Sequence, residues 1–201
     1  MSGIVQIAEE VRRCRLCRLA SVRTLAVPGE GPEDARIMLV GEGPGYHEDQ
    51  QGRPFVGAAG QFLESLLHSI NLRRSDVFIT NVLKCRPPEN RDPMPDELAA
   101  CRPFLDRQIA LIKPKIVVTL GRFSMQIAFS GVTISSVHGT AKRVGDLVYL
   151  PMFHPAAALH QQRFRSMIEQ DFLKIPALLA ELSSVEPEDG LSQPPEQLSL
   201  F

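Results

Sequence analysis

The chain has 201 residues, 44% of them hydrophobic, which suits one globular domain with a sizeable core and excludes a chain too polar to fold. No apolar run is long enough to span a bilayer, and Glu9 and Glu10 stand where an export leader needs an apolar stretch, so a protein of the reducing cytoplasm is expected. The formal net charge of −1 excludes the strongly basic balance of many nucleic-acid binders.

That charge is unevenly spread. Residues 183–201 hold four acids, Glu186, Glu188, Asp189 and Glu196, and no Lys or Arg. Without them 19 acids face 22 basic residues, so the body carries about +3. Such a balance permits phosphate contacts without requiring them.

From the N-terminus, residues 4–13 place Ile4, Ile7, Ala8 and Val11 on one helical face. Cys14-Arg15-Leu16-Cys17 follows, then a Gly- and Pro-rich loop over residues 28–34. Residues 37–40, IMLV, read as a strand buried on both faces. Beyond it come Gly41, Gly43 and Gly45 at alternate positions, the carboxylates Glu42, Glu48 and Asp49, and a lone Phe55. Glycine there lets backbone approach a ligand closely, so the stretch describes a pocket for a small flat molecule. A dinucleotide fingerprint would need glycine where Tyr46 stands.

A helix starting near Gly57 carries Phe62, Leu63, Leu66, Leu67 and Ile70 on one stripe. Residues 77–82 form a second strand ending at Asn81, followed by Lys84-Cys85-Arg86. The segment PPENRDPMP is too proline-rich for regular structure. A helix then begins at Pro95 or Asp96 and passes through Cys101 to Ile112. Residues 116–120 form a third strand without polar alternation, hence interior, and residues 121–129 a short helix. Residues 147–150 form a fourth strand leading to His154-Pro155. A last helix covers residues 165–182, kinked or restarted near Pro176. Strands alternating with helices predict a parallel sheet covered on both faces. Ligands bind such sheets beyond the carboxyl ends of the strands. The Gly41–Gly45 loop, Asn81 and His154 therefore aim at one crevice.

The four cysteines are Cys14, Cys17, Cys85 and Cys101. A zinc ribbon would pair one C-x2-C with another, and the second pair here is too open. One C-x2-C with two distant singles fits a [4Fe–4S] cluster on four thiolates. Zinc and four buried free thiols are the alternatives. Arg13, Arg15, Arg18, Lys84, Arg86 and Arg102 adjoin the cysteines in sequence, and positive charge favours thiolate.

Taken together, GEGPGYHEDQQGRPFVGAAG, NVLKCRPPENR, HPAAAL and the cysteine pattern resemble family 4 uracil-DNA glycosylases, the iron–sulfur type, over about residues 3 to 182. The resemblance implies a three-layer α/β/α fold with a central, mainly parallel four-stranded sheet in one domain, residues 1–182. It implies a monomeric, monofunctional enzyme that flips uracil out of single- or double-stranded DNA and hydrolyses its N-glycosidic bond. Phe55 then stacks on the base, Asn81 reads its edge, and His154 stabilises charge on the departing base. Glu42 and Gly43 line the pocket, and Glu48 crowds the C5 edge or positions water. Where the best-known uracil glycosylases carry a water-activating Asp, this chain has Gly43. The segment from Arg86 to Asp96 contains no histidine, so turnover is expected in place of the covalent trapping of a sister group. A non-catalytic metal protein would leave Asn81 and His154 unexplained, and a nucleotide-binding enzyme lacks the phosphate-loop lysine.

Residues 183–201 are expected to be a disordered tail, since so few large apolar residues cannot form a core. Its tip, Gln197-Leu198-Ser199-Leu200-Phe201, resembles the pentapeptide by which bacterial repair proteins dock on the sliding clamp, with the apolar side chains filling a groove.

Overall fold

A computed structural model describes residues 3–184. The expected tail and its terminal pentapeptide lie outside the described residues. The strands are β1 (Ile37–Gly41), β2 (Phe78–Asn81), β3 (Ile116–Leu120), β4 (Lys142–Val144) and β5 (Leu147–Met152). They form one sheet in the order β2-β1-β3-β5-β4. The four strands expected from sequence are its parallel part, with β3 inside, as expected of a strand without polar alternation. The fifth strand, β4, pairs antiparallel with β5 at the edge. Its three residues are all exposed and two are cationic, so no apolar pattern announced it.

Side chains alternate across the sheet as the pleat demands. Ile37, Leu39, Ile79, Val118 and Leu150 share one core with Leu63, Leu66 and Leu67 of α3 (Ala58–Ser69), Ile168 and Phe172 of α8 (Gln162–Phe172), and Ile175 of α9 (Ile175–Ser184). Met38, Val40, Phe78, Val117 and Tyr149 face the opposite way, onto Leu105, Ile109 and Ile112 of α4 (Pro95–Ile112). The result is three layers, α/β/α. Cutting a fully buried leucine such as Leu63 to alanine costs about 2–5 kcal/mol.

The helix expected over residues 165–182 is two helices, broken at Leu173 and Lys174 before Pro176. Helix α1 (Gly3–Arg13) buries Ile7 and Val11 against Phe104 of α4. Four short helices fill loops. They are α2 (Tyr46–Gln51), α5 (Arg122–Met125), α6 (Ile134–Val137) and α7 (Pro155–His160). Among the described residues no helix is long and apolar enough to cross a membrane.

Candidate active site

The carboxyl ends of β1, β2 and β5 open onto a cleft of about 380 Å³ lined by Glu42, Gly43, Glu48, Phe55, Asn81 and His154. All six residues expected from sequence thus meet in one place. Register explains part of this, because Gly41 and Asn81 are partners across the β1–β2 ladder. A Cβ at Gly41 would stand 2.4 Å from Asn81 Oδ1 and 2.7 Å from Phe55 Cζ. Only glycine lets the base of the cleft close this tightly.

Phe55 is buried with φ of 51°, a left-handed conformation that strains a bulky residue. Its carbonyl accepts from Arg74 Nη1 at 2.9 Å, and Arg74 Nε donates to Glu30 at 2.6 Å. A Cβ at Gly60 would lie 1.9 Å from the same carbonyl oxygen. Arg74, Glu30 and Gly60 thus set the Phe55 ring. Sequence reading missed the pair, because Glu30 and Arg74 lie 44 residues apart and show no local pattern.

Glu48 turns its carboxylate back on its own loop. Oε1 accepts from Val56 N and Gly57 N at 2.8 and 2.9 Å, and Oε2 from Gly45 N at 3.1 Å. Three N–H groups leave about one lone-pair site open toward the cleft. Glu42 has no such anchorage. Burial, then the nearby Asp92 carboxylate, raises its pKa, and Arg122 opposes them.

Asn81 is buried at the end of β2, and among the described residues its side-chain Oδ1 has no hydrogen-bond partner. A buried acceptor left open is costly unless a ligand supplies the donor. His154 caps α7, its Nδ1 accepting from Ala156 N at 3.2 Å. That bond places the imidazole proton on Nε2. The cleft leaves His154 partly exposed, yet enclosure by protein pulls its pKa from 6.5 to about 4, with Glu48 opposing. His154 is therefore a neutral donor at physiological pH. Its ring lies 5.6 Å from that of Phe55, inclined by 24°.

The proline-rich segment supplies Asn90, Arg91 and Pro93 to the wall. Arg91 grips Glu97 of α4 with two bonds of 2.9 and 2.6 Å, and Glu97 also accepts from Met94 N. These lining residues were not legible beforehand, since the prolines signalled irregularity and no direction.

Residues 28–175 match the Uracil DNA glycosylase superfamily. The chain is 50% identical to a "Type-4 uracil-DNA glycosylase" of Sulfurisphaera tokodaii, over 87% of this chain and 84% of that protein. Proteins of the same description from Archaeoglobus fulgidus and Thermotoga maritima are 47% and 44% identical. They cover 87% and 84% of this chain and 92% and 90% of their own. The chain belongs to the type-4 uracil-DNA glycosylase family.

In this type-4 family member the four cysteines gather beside the cleft's proline-rich wall. Cys85 and Cys101 are buried in a small cluster with Leu19 and Leu83, and Cys17 packs against it. Cys14 is close enough to act electrostatically on Cys85. Among the described residues no three His, Cys, Asp or Glu side chains stand as a single ion requires, which for tetrahedral zinc is sulfurs about 3.8 Å apart. A four-iron cluster is larger and spreads its ligands further. The donor chemistry also fits an anionic sulfur set. Cys85 Sγ accepts from Arg23 Nη1 at 2.9 Å, Cys14 Sγ from Leu16 N at 3.5 Å, and Cys101 from the main chain of Lys84. Burial otherwise pushes the Cys101 thiol up to about 11 and raises Cys85.

Of the basic neighbours seen in sequence, Arg18 and Arg102 pair with Asp96 and Asp106 instead. Lys84 turns inward. Its ammonium, which burial pulls down to about 7 against the opposing sulfurs, donates to Thr80, Gln108 and the Asn81 carbonyl. Arg23, which reaches Cys85, was not singled out because it stands six positions beyond the nearest cysteine.

Proposed function

We propose that the chain excises uracil from DNA by hydrolysing its N-glycosidic bond. The observation that carries this reading is Asn81 Oδ1, a buried acceptor without a partner, beside an aromatic face and a neutral histidine donor. Uracil meets all three groups. Its N3–H donates to Oδ1, its O4 accepts from the Asn81 amide, and its ring stacks on Phe55. Cytosine reverses the donor and acceptor on that edge and leaves buried groups unpaired, a mismatch worth orders of magnitude in rate.

The base enters the cleft by leaving the DNA stack, at a cost of a few kcal/mol that mismatched or single-stranded uracil reduces. As the C1′–N1 bond breaks, the electron pair goes to the uracil ring and charge gathers on O2, where His154 Nε2–H donates. Water adds to C1′ of the oxocarbenium-like sugar, and the proton it loses neutralises the uracil anion, which leaves as free uracil. Glu42, lining the cleft and drawn toward protonation, holds that water, while Glu48 fixes the loop that crowds the C5 edge and Gly43 leaves room for the sugar. Among the described residues no lysine lines the cleft, which supports hydrolysis to an abasic site over a Schiff-base route.

Cys14, Cys17, Cys85 and Cys101 would hold a [4Fe–4S] cluster, whose contribution when bound is to tie the end of α1 to the start of α4. The catalytic domain spans residues 1–182 and works as a monomer. The terminal Gln197-Leu198-Ser199-Leu200-Phe201 docks on a sliding clamp through Leu198, Leu200 and Phe201, raising the enzyme's effective concentration at replicating DNA. Release of free uracil from a labelled oligonucleotide, with no cytosine released from a matched control, tests the central reading. Absence of uracil release from protein loaded with iron overturns it.

A further inference from the structure

Arg12, Arg13, Arg15, Arg23 and Arg53 line a recess of about 520 Å³ between the ends of α1 and α2, and among the described residues no Asp or Glu lines it. Two of the five are engaged. Arg53 makes a double bond-pair with Glu30, and Arg23 donates to the carbonyls of Arg12 and Cys14 and to Cys85 Sγ. The side chains of Arg12, Arg13 and Arg15 are exposed and, among the described residues, make no hydrogen bond or ion pair. Three uncompensated guanidiniums around one hollow repel each other unless an anion sits among them.

The recess adjoins the cleft. Arg53 lines one and Phe55 the other, at most about 7 Å of chain apart. Helix α2 likewise starts beside the cleft at Gly45 and ends in the recess wall at Gln51 and Gly52, spanning about 9 Å. A strand with one nucleotide held in the cleft can therefore reach the arginines with its backbone. Guanidinium binds phosphate oxygens through its fork of donors.

We infer that this recess is a phosphate site that grips the uracil-bearing strand beside the extruded nucleotide. The inference rests on the glycosylase reading, and goes beyond it in assigning the grip to Arg12, Arg13 and Arg15. Arg12 and Arg13 also suit the last turn of α1, where cations complement the helix dipole. Arg15 lies beyond that helix, and the dipole gives no reason for it.

The test uses the full-length, iron-loaded protein and its Arg12→Gln/Arg13→Gln/Arg15→Gln variant, with the triple Lys variant as a charge-retaining control. Binding of labelled single strands is followed by anisotropy across a salt series. Each lost phosphate contact should lower the log Kd against log salt slope by about 0.7 for single strands. The Gln variant should bind a long strand about tenfold more weakly at low salt and keep its kcat, while the triple Lys variant should keep most of the affinity. Inorganic phosphate should compete with the long strand on the wild type and lose that effect on the Gln variant. An unchanged salt slope overturns the inference. So does a lowered Tm with unchanged affinity, which would leave the arginines as helix-dipole partners, or phosphate binding that never competes with DNA, which would make the recess a site for free anions. Wild-type protein that shows the salt slope but releases no uracil overturns the glycosylase reading and leaves the phosphate site standing.

Discussion

Lys84 Nζ stands 2.9 Å from the main-chain carbonyl oxygen of Asn81, while the main-chain N–H of the same lysine serves the sulfur of Cys101. One residue thus touches both the strand end that would read the base and the cysteine group. The fully buried ammonium is also bonded to Thr80 Oγ1 at 2.6 Å and Gln108 Oε1 at 2.7 Å. Gln108 in turn donates to the Pro28 carbonyl at 2.7 Å. Replacing Lys84 by Met leaves three buried acceptors without their donor, at a cost of about 3 kcal/mol. The expected outcome is a lower Tm and a roughly tenfold loss of kcat/KM on uracil DNA with iron content retained. Unchanged excision by a destabilised variant would separate Lys84 from Asn81.

Asn81 supplies the clearest test of base reading. Asn81→Ala should reduce kcat/KM on uracil by about 100-fold or more, the loss of roughly 3 kcal/mol of transition-state interaction. Asn81→Asp should narrow the preference for uracil over cytosine, since a protonated carboxyl can donate where cytosine N3 accepts. Both are checked by base release from paired oligonucleotides. Retained selectivity in Asn81→Asp removes Asn81 from that role.

The pH profile follows from His154. Burial lowers its pKa from 6.5 to about 4, so between those values the unfolded chain binds more protons than the folded one. Stability from this group therefore rises with pH through the window of about 4 to 6.5 and is complete above it. The His154 contribution to kcat should stay level from pH 8 to about pH 5 and fall as the ring protonates near pH 4, breaking its bond from Ala156 N. His154→Asn should lower kcat by about 10²- to 10³-fold. An acid limb near pH 6.5 in the wild type would contradict a protein-enclosed, neutral histidine.

The cysteine site predicts a brown protein, when purified without oxygen, that contains about four irons. Cys101→Ala should lose the visible absorption and most of the iron, and melt at a lower temperature, because two cysteine-bearing segments lose their tie. One zinc and no iron by elemental analysis would overturn the cluster.

Removal of residues 197–201 should abolish capture on an immobilised sliding clamp and leave uracil release from a short oligonucleotide intact. Clamp binding that survives the deletion, or activity lost with it, would refute the docking role.

The parallel strands and the meeting of Gly41, Asn81 and His154 at one crevice were legible in the sequence, because apolar runs between turn residues report burial and strand ends report the crevice. The edge strand β4 was illegible, for its three exposed residues carry no burial signal. Local sequence named Phe55 and Glu48 as pocket residues. Its reach ended at their geometry. The positive φ of Phe55 is held by Arg74 and Glu30 from distant segments, and Glu48 is turned onto three N–H groups of its own loop. The cysteine spacing suggested a cluster, yet the guanidinium at Cys85 comes from Arg23, 62 residues away in sequence. Periodicity and turn chemistry act over a few residues, so the sequence by itself determined the layers, the strand ends and the residue types at the site. Hydrogen bonds between distant segments depend on how the chain closes, and only the tertiary structure decided the strain at Phe55, the open acceptor of Asn81 and the inward turn of Lys84.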